Sequence, residues 1–176
     1  MSSAQPSATS AASAPGILLR RRAPLYTPEQ RTRRDTTRWT WVQGLLAPLQ
    51  FLAFVVSTLL VLRFLASGEG ETAAVVSVLI KTALLYTIML TGCLWEKAVF
   101  GRYLFAPAFY WEDMVSMAVL ALHTAYLAAW WNGWLDVRQQ MLLALAAYLT
   151  YAVNAAQFLL KLRAARLDAS GVGVHA

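Results

Sequence analysis

The chain has 176 residues, 59% of them apolar and 14% charged, whereas a soluble domain is roughly half apolar and a quarter charged. Its apolar residues come in blocks, which excludes an ordinary soluble globule. The net charge of +6 sits in arginines beside those blocks, where it sets orientation and meets anionic lipid, so a nucleic-acid binder is excluded as well. Cys93 is the single cysteine, which rules out an intrachain disulfide and a Cys-based metal cluster.

Residues 1–24 read as an extension rich in Ser, Ala and Pro that turns basic and has no core to fold around. Ile17–Leu19 is too short an apolar run for a signal peptide and precedes its arginines, so no cleavage is expected. Thr27-Pro28-Glu29 is a helix start: a capping threonine, proline at the first helical position and an acid in the first turn. It predicts a short interfacial helix from Pro28 to about Thr36, with Trp39 and Trp41 at headgroup level.

Four apolar spans follow: Val42–Leu62, Ala73–Trp95, Met114–Trp131 and Met141–Leu160. Each has the length of ~20 residues that a helix needs to cross a ~30 Å hydrocarbon core. Pro48 is expected to kink the first. Gly68-Glu69-Gly70, Gly101 and Asn132-Gly133 punctuate the connections, Trp130, Trp131 and Trp134 form an interface belt, and residues 169–176 are expected to be a disordered tail. The predicted fold class is thus an all-α integral membrane protein with four transmembrane helices in one domain, residues 25–168. Twelve lysines and arginines lie on the side of the termini and the second connection, against two, Arg63 and Arg138, on the other. This bias predicts cytoplasmic N and C termini.

Polar groups recur at membrane depth. At ~1.5 Å per residue, Lys81 and His123 both fall near the midplane. Gln50 lies about 12 Å from the inner end of the first span, and Asn154 and Gln157 lie in the inner half of the fourth. Ionisable groups there are functional candidates by default, whereas Asn and Gln often only join helices, at ~0.6 kcal/mol per bond. At 100° per residue, Tyr151, Asn154, Gln157 and Lys161 share one broad helix face, and Glu112 and His123, eleven positions apart, share another.

The segment WEKAVFGRYLFAPAFYWEDMVSM, Trp95–Met117, concentrates acids, bases and aromatic rings at one membrane edge. Glu96 ends a helix, where the negative dipole end and the low-dielectric boundary both favour a neutral carboxyl. Glu112 and Asp113 open one, where the dipole favours the anion. Two acids with opposite tuning suit an acid–base pair, and a simple ion pair of Lys97 with one of them is the plainer alternative. Phosphate-cradling loops, G-x-S-x-G, H-E-x-x-H and cysteine clusters are missing. No metal or redox cofactor of the protein's own is expected, and addition or elimination of water, or simple binding, fits better than redox chemistry.

Together with LYTPEQRTRRD, WVQGLLAPLQF, ALHTAYLAA and NAAQFLLKLRAARL, this segment resembles the vinyl bacteriochlorophyllide hydratase family from about Leu25 to Leu167. The resemblance implies a lyase of bacteriochlorophyll biosynthesis: water adds across the 3-vinyl group of a chlorophyllide to give a 1-hydroxyethyl group. It also implies a multi-pass protein of the cytoplasmic or intracytoplasmic photosynthetic membrane, with a chlorophyllide-type tetrapyrrole, the lipid bilayer and other biosynthetic enzymes as partners.

For that reaction the residues take the following expected roles. Glu96 donates the proton, and Glu112 or Asp113 directs the water. His123 ligates the substrate's magnesium, and Lys81 or a cytoplasmic arginine pairs with its propionate. Phe105, Phe109, Tyr110 and Trp111 stack on the macrocycle, beside an extended, narrow Ala106-Pro107-Ala108. Asn154 and Gln157 complete the substrate contacts. The competing classes are a non-catalytic pigment-binding or assembly subunit, which needs the histidine and rings but not the carboxylates, and a small transporter with Lys81 in its path, which repeat symmetry would favour.

Overall fold

A computed structural model describes residues 25–172, with side chains described as far as Arg166. The expected extension over residues 1–24 and the end of the expected tail lie outside that range. The described chain is all helix and connection: α1 Pro28–Thr36, α2 Arg38–Ser67, α3 Glu71–Phe100, α4 Tyr110–Asn132 and α5 Val137–Val172.

The local signals act where they stand. Thr27 caps α1 in a reciprocal box: its side chain accepts from the Gln30 N–H at 3.2 Å, and Gln30 Oε1 accepts from the Thr27 N–H at 3.0 Å. That arrangement satisfies two otherwise orphaned donors. Gly101 ends α3 at φ 79°, a left-handed conformation that costs a glycine nothing. α2, α3, α4 and α5 are each long and apolar enough to cross a membrane, and α2 and α3, at 30 residues each, overrun the expected spans because their polar ends continue the helix past the apolar stretch. Leu45, Leu52, Leu59, Leu90, Leu149 and Leu160 are among the large apolar side chains exposed along them, as a lipid-facing surface requires.

α2 packs chiefly on α3, α4 chiefly on α5, and the two hairpins meet where α5 touches α2 and α3 and where α3 touches α4, while α1 lies against α3. Three layers result. Val61, Val78, Tyr126 and Met141 form an apolar core toward the edge far from α1. Tyr26, Val99 and Phe109 form an aromatic core at the α1 edge, backed by Trp95, Phe100 and Phe158. Between them lie buried polar residues: Gln50, Lys81, Glu96, Glu112, Asp113 and His123 among others.

Candidate active site

Glu96 leaves the end of α3 and Asp113 the first turn of α4, and their carboxyl groups come within reach of each other. Two ionised carboxylates only accept hydrogen bonds, so a direct bond between these two requires one shared proton. The loop joining the helices folds back onto this pair. The Phe105 N–H donates to Asp113 Oδ2 at 2.7 Å, and the next amide, Ala106 N–H, donates to Glu96 Oε2 at 3.2 Å. Successive amides turn toward the same side in this way when a residue turns left-handed. That residue is Phe105, at φ 58°. For a non-glycine residue this costs on the order of 1 kcal/mol, and such strain persists where surrounding contacts hold it.

Glu112, one position before Asp113, points to a different neighbour. Its Oε2 accepts from Lys161 Nζ of α5 at 2.5 Å, and the same ammonium donates to the Ala108 carbonyl. Lys161 thus ties α5 to both α4 and the loop. The charges of Glu112 and Lys161 are felt at Asp113, so the ion pair and the carboxyl pair form one electrostatic cluster. The plainer expectation, Lys97 neutralising an acid, fails: Lys97 Nζ bonds the Gly101 carbonyl at 3.0 Å and caps its own helix.

The expected aromatic wall divides. Phe105, Tyr110 and Trp111 make a row of rings, with centroids 5.7 and 5.5 Å apart, running from the amide clamp to Trp111, which is 70% exposed. Phe109 does not belong to it. It is 2% exposed and sits among Trp95, Phe100 and Phe158 at 5.7–5.8 Å, with Tyr26 beyond. It is core, because Tyr26, just before α1, covers it. Phe109→Ala should therefore act on stability: about 3–5 kcal/mol lost on unfolding in detergent micelles, with pigment affinity of the remaining folded protein unchanged. Ala106-Pro107-Ala108 is not extended either. The Phe109 N–H bonds the Ala106 carbonyl at 2.8 Å, closing a turn with proline at its second position, where its fixed φ suits a turn.

Lys81 and His123 meet at mid-depth, away from the carboxyl pair. His123 Nδ1–H donates to the Val119 carbonyl at 2.8 Å, which leaves Nε2 to accept from Lys81 Nζ at 3.0 Å. Lys81 is fully buried, its Nζ 4.1 Å from the Tyr151 ring centroid. In this arrangement neither ring nitrogen is free for magnesium, and Lys81 faces histidine and tyrosine rather than a propionate. Asn154 Nδ2 donates to Ser116 Oγ at 2.8 Å, and Gln157 Oε1 is buried with no hydrogen-bond partner among the described residues. Sequence reasoning did not assign Lys161 to the site, nor the Phe105 and Ala106 amides. Lys161 lay on the flagged polar face of α5. Backbone donors carry no side-chain signal, and only Pro107 hinted that this loop turns.

Comparison with known proteins places this geometry. A family model described as 2-vinyl bacteriochlorophyllide hydratase (BCHF) matches residues 26–164. The protein named 2-vinyl bacteriochlorophyllide hydratase in Rhodobacter capsulatus is 65% identical over 149 residues, covering 85% of this chain and 86% of that one. The protein of the same name in Cereibacter sphaeroides is 67% identical over 144 residues, covering 82% and 89%. No solved structure matches. The match runs from Tyr26 beneath the aromatic core to beyond Lys161, so it takes in every group of the carboxyl cluster, and the chain belongs to the 2-vinyl bacteriochlorophyllide hydratase family.

Proposed function

We propose that this chain is a hydro-lyase that adds water across the vinyl group of a chlorophyllide-type tetrapyrrole, giving the 1-hydroxyethyl substituent on the way to bacteriochlorophyll. We read the 2-vinyl of the relatives' names as the substituent that current ring numbering calls 3-vinyl. The observation that carries the reading, beside the family match, is the pair of carboxyl groups of Glu96 and Asp113, held by the Phe105 and Ala106 amides next to an exposed row of rings.

A vinyl group conjugated to a macrocycle is hydrated by protonation at its terminal carbon. Glu96 supplies that proton, and the positive charge spreads from the inner carbon into the ring. The Asp113 carboxylate stabilises this charge and takes a proton from the water whose oxygen bonds to the inner carbon. The proton then crosses the Glu96–Asp113 hydrogen bond, so the pair ends as it began and one water is consumed. The two clamp amides hold the carboxyl groups at a fixed separation throughout. Phe105, Tyr110 and Trp111 bear on the macrocycle face, and Arg102, exposed in the same loop, meets the propionate. Glu112 serves through Lys161 to position the loop, and Lys81 and His123 fasten α3 to α4.

The excess of basic residues at the α1 edge orients that edge toward the cytoplasm, in the cytoplasmic or intracytoplasmic photosynthetic membrane. Other biosynthetic enzymes would then reach substrate and product from that side. The test is direct. Membranes in which this chain is the sole added enzyme, given a 3-vinyl chlorophyllide, should yield a pigment heavier by one water, with the absorption shift of a lost vinyl conjugation. Pigment that copurifies unchanged would make the chain a binding or assembly subunit instead.

A further inference from the structure

One group of buried polar atoms takes no part in the steps above. Gln50 of α2 is 1% exposed, and neither its amide nitrogen nor its amide oxygen has a hydrogen-bond partner among the described residues. Asn154 Oδ1 and Gln157 Oε1 of α5 are likewise buried and unpartnered. The packing register brings the first two together. Along the antiparallel α2–α5 contact, Ser57 Oγ meets Tyr148 Oη at 2.6 Å, and the rings of Phe54 and Tyr151 lie 5.0 Å apart. Continued by one turn, this register sets Gln50 level with Asn154 and Ala155. The bond from Asn154 to Ser116 ties that level to α4, three residues and so ~4.5 Å from Asp113 along the helix axis.

The hydrogen-bond chemistry of this layer is one-sided. Ser116 Oγ donates to the Glu112 carbonyl at 2.9 Å, so towards Asn154 it can only accept. That fixes the Asn154 amide with nitrogen on Ser116 and leaves its oxygen as the free atom. Gln50 needs both a donor and an acceptor. An ether, ester or ketone only accepts, and so cannot satisfy the free oxygen of Asn154. Water donates twice and accepts twice, and buried polar groups of this kind are where structural water is held.

We propose that Gln50, Asn154 and Gln157 bind a short file of water molecules that enters along the polar face of α5 and delivers the reacting water to Asp113. The proposal rests on the hydratase reading for its use of that water, but not for the binding itself.

The test uses the full chain in lipid nanodiscs and the variants Gln50→Met and Gln157→Met, which keep side-chain length and remove the polar atoms. Hydroxyl-radical footprinting with X-ray-generated radicals labels side chains beside bound water. Phe54 and Tyr151 should be labelled in the unsubstituted protein and should fall to the background of the lipid-facing leucines in Gln50→Met. Turnover of the vinyl pigment should drop about 10²-fold in kcat, the scale expected when a reactant is misplaced, with KM for the pigment unchanged. Unlabelled Phe54 and Tyr151 in the unsubstituted protein would overturn the proposal, and so would a rise in KM at constant kcat, which would make these amides pigment contacts. If Glu96→Gln keeps full turnover while the footprint behaves as expected, the carboxyl mechanism falls and the water site stands.

Discussion

Glu96→Gln is expected to reduce turnover of the vinyl pigment by about 10²–10⁴-fold, the usual worth of a positioned general acid or base, and Asp113→Asn to reduce it as far. The double variant should be scarcely slower than either single one. Residues acting as one unit lose their joint contribution when the first is removed, and in the proposed mechanism the unit is a single proton shared by two carboxyl groups. Each amide variant keeps its size and an oxygen for its clamping amide, so the protein should fold and bind pigment as before. Single-turnover absorption measurements in nanodiscs, with pigment affinity measured separately, provide the check. Independent effects that multiply in the double variant would mean two separate roles and would sink the shared-proton mechanism.

The helices and their punctuation were legible in the sequence because their causes are local. The capping box of Thr27 and Gln30 and the left-handed Gly101 depend on residues a few positions apart. The Trp95–Met117 segment also stood out, since five charged groups and seven aromatic rings at a hydrocarbon boundary need a reason. Which acid meets which partner was not. Glu112 and Asp113 are adjacent, so their side chains leave α4 about 100° apart, and only the placement of α3 and α5 decides that Asp113 meets Glu96 while Glu112 meets Lys161, 49 positions away. The same holds for Phe109, whose ring would read as a stacking surface had Tyr26 not covered it. His123 and Lys81 were rightly set at one depth, but depth along two helices does not say that they bond each other rather than a ligand.

The partner of Glu112 leads to the second large effect. Lys161→Met should destabilise the protein by about 3 kcal/mol, near the low end for breaking a buried ion pair, because Lys161 keeps 25% of its side-chain surface exposed while Glu112 keeps 9%. It strands a buried carboxylate and also frees the Ala108 carbonyl, and with it the turn that carries the Phe105 and Ala106 amides. Glu112→Gln alone should cost less, since the neutral amide still accepts from the lysine. The pair Lys161→Met with Glu112→Leu should recover much of the loss, because an apolar pair of similar volume commonly replaces a buried ion pair without penalty. Thermal unfolding in detergent measures all three. Turnover separates the two acids: if Glu112 only positions the loop, Glu112→Gln retains turnover within about tenfold of the unsubstituted protein while Asp113→Asn does not. Equal losses in the two would return the water-directing role to Glu112 and leave Asp113 as a partner that merely holds the proton of Glu96.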